Sequence, residues 1–265
     1  MPEFDRALII SDLHLTAAYP FTASRFIDFC KNEARQVQAV FIIGDLFEFW
    51  VGDDAHLQTP FNHGIAKEIQ ALSASGLQVF FIAGNRDFML GREFQKITSW
   101  TVLPDPSIVN IGGQSWLLSH GDMLCTADPA YQLFRSFTRV PFFQYLFMLI
   151  PPKLRQKMGD RLRSRAAMKY QRREYFDPMT ANIKGNVTLE ACAKVTKKYV
   201  CPRLIHGHTH RPGVQKEQFG DQSWTRWVLS DWDLDHPEMK PRANALFIHS
   251  SGITTIDLMQ TSSLR

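Results

Sequence analysis

Five short polar blocks each follow an apolar stretch that reads as a buried strand, and this recurrence constrains the fold more than any other feature. The blocks are Asp12-Leu13-His14, Gly44-Asp45, Gly84-Asn85-Arg86-Asp87, His120-Gly121 and Gly207-His208-Thr209-His210. Open α/β sheets place ligand sites along the carboxyl ends of their strands. Glycines at 44, 84, 121 and 207 allow tight turns and close approach at that edge. Asp12, His14, Asp45, Asn85, His120, His208 and His210 can therefore converge from segments far apart in sequence. Oxygen and imidazole donors in this number suit two divalent cations bridged by a carboxylate. Such a pair activates water and clamps a phosphoryl group, so the pattern points to metal-dependent hydrolysis of a phosphate bond. In G-H-x-H, alternate residues of an extended segment would point the same way.

Apolar runs at 7–11, 39–43 and 78–83 predict buried strands. Residues 22–35 and 64–75 predict helices, the first with Phe26, Ile27, Phe29 and Cys30 inward. This alternation argues for a layered α/β fold. Segments 107–111 and 115–119 flank Gly112-Gly113, a hairpin signal. Further strands are expected at 204–206, 223–229, 243–249 and 254–258, and no internal repeat is present. Residues 126–185 break the pattern, being helix-prone, basic and interrupted by Pro141, Pro151 and Pro152. The expected organisation is a core of residues 1–125 and 186–265 with a helical cap inserted at 126–185.

A chain of 265 residues, 45% hydrophobic, is long enough for one α/β domain with such an insertion. The four cysteines form no C-x-x-C pair, so free thiols in a reduced cytosolic compartment are expected. Asp5 and Arg6 lead straight into a four-residue apolar run, which is not the pattern of a secretory signal. No window reaches the roughly 20 apolar residues of a membrane span. Between 131 and 173 there are eleven Lys/Arg and one acid, Asp160. That segment carries +10, so with +4 overall the rest of the chain carries −6. Beside it, residues 140–152 read V-P-F-F-Q-Y-L-F-M-L-I-P-P. Apolar anchors next to cations suit an anionic membrane surface or a pocket for acyl chains near a diphosphate. The plainer reading is a cap helix packed on its neighbour with a solvated basic face. The aromatics do not interleave with the cations, which disfavours nucleic acid. Oligomeric state is left open.

The blocks match D-x-H…G-D…G-N-[HR]-[DE]…H…G-H-x-H throughout and so resemble the calcineurin-like metallophosphoesterase superfamily. The resemblance implies a four-layer double β-sandwich flanked by helices and a two-metal centre. It assigns Asp12, His14, Asp45 and His210 to one metal, and Asp45, Asn85, His120 and His208 to the other, with Asp45 bridging. Mixed oxygen and nitrogen ligation suits Mn²⁺ or a similar ion; Fe²⁺, Co²⁺ and Zn²⁺ are not separated by sequence.

Arg86 stands where many members of that superfamily have His. An imidazole can protonate a departing alkoxide; a guanidinium does not give up its proton in proteins. Arg86 can instead stabilise phosphoryl oxygens as a bidentate fork. The leaving group should then need no proton, as for a phosphate, whose second pKa is about 6. This favours a pyrophosphate bond over an alkyl phosphoester. The alternative is that Arg86 merely pairs with Asp87 or Glu48.

Longer stretches are similar to one branch, the UDP-2,3-diacylglucosamine diphosphatases of lipid A synthesis. They include Ile43-Gly-Asp-Leu-Phe-Glu48, Trp50-Val-Gly-Asp-Asp54, Gly84-Asn-Arg-Asp-Phe88, Ile205-His-Gly-His-Thr-His-Arg-Pro212 and Val228-Leu-Ser-Asp-Trp232. That likeness implies water attack on the α-phosphorus of the UDP moiety, giving UMP and 2,3-diacylglucosamine 1-phosphate. The +10 segment beside residues 142–150 leads to the expectation of peripheral association with the cytoplasmic face of the inner membrane. Asn85, Arg86 and His208 would touch the substrate phosphate, and Asp128 matches a further substrate residue. In the cap the corresponding positions hold Ala166, Tyr170 and Arg173. The branch has a small polar residue, then Asn or Thr, then Lys, so this chain departs there. An offset alignment would use Ser164 and Lys169.

His206 reads either as a residue orienting a ligand or as a buried strand histidine, and Asp122 could pair with His120. His56, His63, His236 and His249 read as structural or solvated. Two rival functions use the same features: another dinuclear-metal phosphodiesterase or pyrophosphatase acting on a nucleotide, and a non-enzymatic interaction module on the same core.

Overall fold

The computed structural model describes residues 3–176, 179 and 183–260, without the side chains of 163, 166, 167, 169–174 and 176. Two six-stranded sheets form its centre. In chain order the elements are β1 (Glu3–Phe4), β2 (Ala7–Ile10), α1 (Pro20–Lys31), β3 (Ala39–Ile43), α2 (Asp53–His56), α3 (Pro60–Ala74), β4 (Gln78–Ile82), α4 (Arg92–Thr98) and β5 (Thr101–Leu103). Then follow β6 (Ser107–Ile111), β7 (Gln114–Ser119), α5 (Pro129–Thr138), α6 (Pro141–Met148) and α7 (Pro152–Phe176). The chain closes with α8 (Leu189–Tyr199), β8 (Arg203–His206), β9 (Gly213–Phe219), β10 (Gln222–Val228), β11 (Asn244–His249) and β12 (Gly252–Asp257). One sheet runs β12-β11-β2-β3-β4-β5 and the other β1-β6-β7-β8-β10-β9.

β2, β3 and β4 are parallel, and their apolar runs are buried on both faces as central parallel strands require. The two-residue period divides those runs between two cores. Ala7, Ile9, Ala39, Phe41, Phe80 and Ile82 face the second sheet, meeting Val109, Ile111, Trp116, Leu118 and Ile205. Phe41 stacks on Phe80 there with ring centroids 4.7 Å apart. Leu8, Ile10, Val40, Ile42, Val79 and Phe81 face outward against Phe26 and Phe29 of α1 and Ile65 and Ile69 of α3. On the far side, Leu117, Leu204 and Trp224 pack on Cys192, Ala193 and Val195 of α8. Helix, sheet, sheet and helix make the four expected layers.

The Gly112-Gly113 hairpin joins β6 to β7 as expected, with φ of 60° and 71° at the two glycines. β9 had no apolar alternation to betray it, because it is an exposed edge strand paired only with β10. Short β5 and α4 likewise lie below what periodicity can resolve. All four cysteines are free and buried.

Between β7 and α8 the chain passes through α5, α6 and α7. Their polar anchors are in the core. Arg135 reaches Asp122 at 2.9 Å and Asp105 at 3.0 Å, and Arg139 donates to the Gly84 carbonyl at 2.7 Å. Fully buried Arg155 donates to the Val51 carbonyl at 2.8 Å and pairs with Asp54. Three of the segment's eleven cations are therefore matched by groups from outside it, and the count of +10 overstates its free charge. Apolar residues on these helices, such as Leu133, Phe137, Phe142, Tyr145 and Leu149, are exposed. Among the described residues no helix is long and apolar enough to cross a membrane.

Candidate metal centre

All five polar blocks lie where strands end. Asp12 follows β2, Asp45 follows β3, Asn85 follows β4, His120 follows β7 and His208 follows β8. The first two loops run side by side, with Asp12 N–H donating to the Gly44 carbonyl at 3.1 Å and His14 N–H to that of Asp45 at 3.0 Å. Asp12 Oδ2 ties one sheet to the other by accepting from the His208 N–H at 2.8 Å. Asp45 Oδ1 accepts from the Arg86 N–H at 2.9 Å. These close approaches need glycine. A Cβ on Gly84 would collide with Asp45, and one on Gly207 with Asp12 and Ser11.

Two groups of donors result. Asp12, His14 and His210 form one, and Asp12, Asp45 and His120 the other, each with ligand atoms within 4.8 Å of one another. His14 Nε2 and His210 Nε2 are 3.3 Å apart. Asn85 Oδ1 lies 3.0 Å from His120 Nε2, and the His208 ring stands beside that group, its centroid 5.1 Å from that of His120. At this spacing Asp12, not Asp45, is common to both groups.

The G-H-x-H segment is not extended. His208 and His210 have φ of 65° and 52°, and Thr209 N–H donates back to the Gly207 carbonyl at 2.7 Å. The expected alternation of an extended segment is therefore corrected to a tight turn. Seven non-glycine residues among those described have positive φ, and five are Asp12, His14, Asp45, His208 and His210. Left-handed backbone costs of order 1–3 kcal/mol per residue and persists where surrounding structure enforces it, typically at functional sites.

The donor set fits divalent cations. Asp12 Oδ1 and His14 Nδ1 are buried without a hydrogen-bond partner. His120 Nδ1 is 3.1 Å from the Ile43 carbonyl, which fixes a proton there, so Nε2, 3.0 Å from Asn85 Oδ1, is the nitrogen that a cation would take in place of its proton. The electrostatics agree. Burial opposes charge on His120, yet Asp45, Asp12, Asp122 and Asp105 outweigh it and push its pKa up to about 9. Burial is likewise overcome at His210 by Asp12 and Asp231, giving about 10. Burial and His120 push His208 down to about 4, keeping it a neutral donor. The cluster thus demands positive charge and supplies lone pairs to receive it.

Arg86 sits at the rim, one-third exposed. Its Nη1 meets Glu48 Oε1 at 2.6 Å and its Nε lies 3.6 Å from Asp45 Oδ2. The pairing with Glu48 is therefore present. That with Asp87 is not, because Asp87 accepts from the Leu46 and Gly84 N–H groups at 2.7 and 2.8 Å and staples two site loops together. Asp122 pairs with Arg135 and Tyr131, which both donate to its Oδ2, and makes no hydrogen bond to His120. His206 is buried, placed between the Gly207 carbonyl and Arg226, and burial lowers its pKa to about 3. Asp128 caps α5 by accepting from the Tyr131 N–H. Ala166, Tyr170 and Arg173 lie on α7, and their side chains are outside the described residues. Sequence reading named Glu48 only as a possible partner of Arg86 and passed over Asp231, although it lies in a quoted motif, because the contact with His210 joins separate loops.

Comparison with known proteins follows the same residues. The calcineurin-like phosphoesterase family model matches residues 6–212. The chain belongs to that family. It is also 41% identical over 247 residues to UDP-2,3-diacylglucosamine hydrolase of Ralstonia nicotianae, covering 92% of this chain and 90% of that protein. The Pseudomonas fluorescens protein of the same name is 42% identical, covering 85% and 88%. That of Aromatoleum aromaticum is 39% identical, covering 88% and 92%. The assignment to a hydrolase family spans the blocks and the helices between them.

Proposed function

We propose that this chain hydrolyses the pyrophosphate bond of UDP-2,3-diacylglucosamine by water attack on the α-phosphorus, giving UMP and 2,3-diacylglucosamine 1-phosphate. The observation that carries the reading is the cluster of Asp12, His14, Asp45, His120 and His210 where strands of the two sheets end, in a chain 41% identical over 92% of its length to a hydrolase named for that substrate. Asp12, His14 and His210 would hold one divalent cation, and Asn85, His120 and His208 the other. The family likeness gives the bridge to Asp45, and the geometry offers Asp12 as a second carboxylate in reach of both groups. Mn²⁺ suits the mixed donors. When bound, such a pair makes water nucleophilic near neutral pH and neutralises phosphoryl oxygens.

The protein's own groups do the rest. Glu48 holds the Arg86 guanidinium at the rim, where it can fork onto the phosphoryl group under attack. Asn85, after β4, and His208, after β8, flank His120 from the two sheets and would orient the phosphate. No side chain is required to protonate the leaving sugar phosphate, which agrees with Arg in place of His at 86. We assign residues 126–185 to a cap whose exposed apolar residues on α5 and α6 receive acyl chains and the cytoplasmic face of an anionic membrane. Asp128, Ala166, Tyr170 and Arg173 are proposed to border the sugar and its phosphate.

The test is turnover. The Mn²⁺-loaded chain should release UMP from UDP-2,3-diacylglucosamine, and Asp45→Ala and His120→Ala should abolish that release. Faster turnover of bis(p-nitrophenyl) phosphate than of the lipid-linked nucleotide would favour a general phosphodiesterase instead.

A further inference from the structure

The stretch Val228-Leu-Ser-Asp-Trp232 follows β10 on the far side of the chain from the donor blocks, and no step above uses it. In space it lies against the first donor group. His210 turns Nε2 toward Asp12 Oδ1 at 3.4 Å and Nδ1 toward Asp231 Oδ2, also at 3.4 Å. Asp231 is buried and is gripped by Arg242, whose Nε meets Oδ1 at 2.8 Å and whose Nη2 meets Oδ2 at 2.6 Å.

The platform beneath this pair is rigid. Asp233 and Arg242 exchange both backbone hydrogen bonds, at 2.8 and 2.9 Å. Ser230 N–H donates to Asn244 Oδ1 at 3.3 Å and Trp232 Nε1 to the Asn244 carbonyl at 3.0 Å. Trp232 N–H donates to the carbonyl of Asp12 itself at 3.0 Å. The segment is thus bolted to the residues at the start of β11 and to a donor of the centre. A carboxylate on the far nitrogen of an imidazole fixes the ring's tautomer and orientation and raises its basicity toward a cation.

We propose that Asp231, held by Arg242, is a positioning residue for His210 and sets the affinity of the cation position formed by Asp12, His14 and His210. The inference rests on the reading of the site as a metal centre. His120 offers a contrast, since its far nitrogen faces the neutral carbonyl of Ile43. Asp231→Asn keeps the shape but loses the charge, and with it the bidentate pair to Arg242. Arg242→Met keeps the charge but frees the carboxylate to rotate.

Titration of the metal-free chain with Mn²⁺, followed by the electron paramagnetic resonance signal of the free ion, separates the possibilities. The wild-type chain should bind two equivalents. Asp231→Asn should weaken one of them about 10–100-fold and leave the other unchanged. Arg242→Met should do the same to a smaller degree, and Asp231→Glu should recover part of the loss. Identical Mn²⁺ isotherms for wild type and Asp231→Asn, with only a lower melting temperature, would make Asp231 merely structural and overturn the inference. Failure of the wild-type chain to bind Mn²⁺ would instead overturn the metal-centre reading on which it rests.

Discussion

At the scale of single residues, Arg86 decides the most chemistry. It is held at the rim by Glu48 and close to Asp45, so its guanidinium is oriented before substrate arrives. Preorganised donors aimed at developing phosphoryl charge are worth far more than flexible ones, because no reorganisation is needed at the moment of reaction. Arg86→Lys keeps the charge but loses the fork. We predict that kcat falls roughly 10²–10³-fold in steady-state assays, by analogy with loss of one oxyanion donor. A variant with unchanged kcat would reduce Arg86 to a partner of Glu48. Arg86→His should not restore activity, since the sugar phosphate needs no proton to leave.

The elements are held by groups that lie far along the chain from them. Helix α1 has Tyr19 at its N-cap position and no local side-chain cap. Its first N–H groups are satisfied instead by Asp235, which accepts from Phe21 and Thr22 N–H at 3.0 and 2.9 Å and from the Thr22 hydroxyl at 2.7 Å. Burial would raise the Asp235 pKa, but these donors from Thr22 and Phe21 hold it below the usual carboxylate value. A depressed folded pKa stabilises fully above the unfolded value of about 3.9, and the contribution fades as pH falls through the folded value. Asp235→Ala should therefore cost about 1 kcal/mol in urea unfolding at pH 7 and nothing at the lowest pH. An equal cost at both pH values would contradict the capping role. Arg155 does the corresponding work for α7. Breaking a fully buried ion pair costs roughly 3–5 kcal/mol, and less is expected here because Asp54 is half exposed. We predict that Arg155→Met accelerates tryptic cleavage within 153–173 at least several-fold while the two sheets remain folded. Unchanged cleavage would show that α7 is anchored otherwise.

The whole molecule couples metal to fold. Asp12 and His14 carry buried atoms without a hydrogen-bond partner, and carboxylates crowd the site, so cations bound there are expected to stabilise the fold. Mn²⁺ at 100 times its dissociation constant adds about 2.7 kcal/mol. For a chain of this size each kcal/mol raises Tm by about 2–4 °C, so chelation should lower Tm by roughly 5–10 °C and remove activity. Calorimetry with and without chelator checks it, and an unchanged Tm would mean the site does not gain stability from metal. The outer surface makes a second prediction. Phe142, Tyr145 and Leu149 are exposed on and just after α6, and Lys153, Lys157 and Arg161 follow on α7. Cosedimentation with anionic vesicles is expected at low salt and should weaken as salt rises, because the attraction is screened. Absence of binding at low salt would remove the membrane surface from the functional proposal.

The amino-acid sequence alone marked the candidate donors and placed them at the ends of strands. Each block immediately follows an apolar strand, and strand period and burial are local properties that a run such as Ala7–Ile10 carries within itself. The layered α/β class followed from the same runs, and the double sandwich from the family resemblance. Packing of the two sheets decided what local pattern cannot encode. It folded His208 and His210 into a tight turn, placed Asp231 behind His210, gave α1 a cap more than two hundred residues away, and matched Arg135, Arg139 and Arg155 with groups from the core. Those pairings join residues whose separation along the chain carries no signal. They exist only once the sheets are stacked and the helices laid against them.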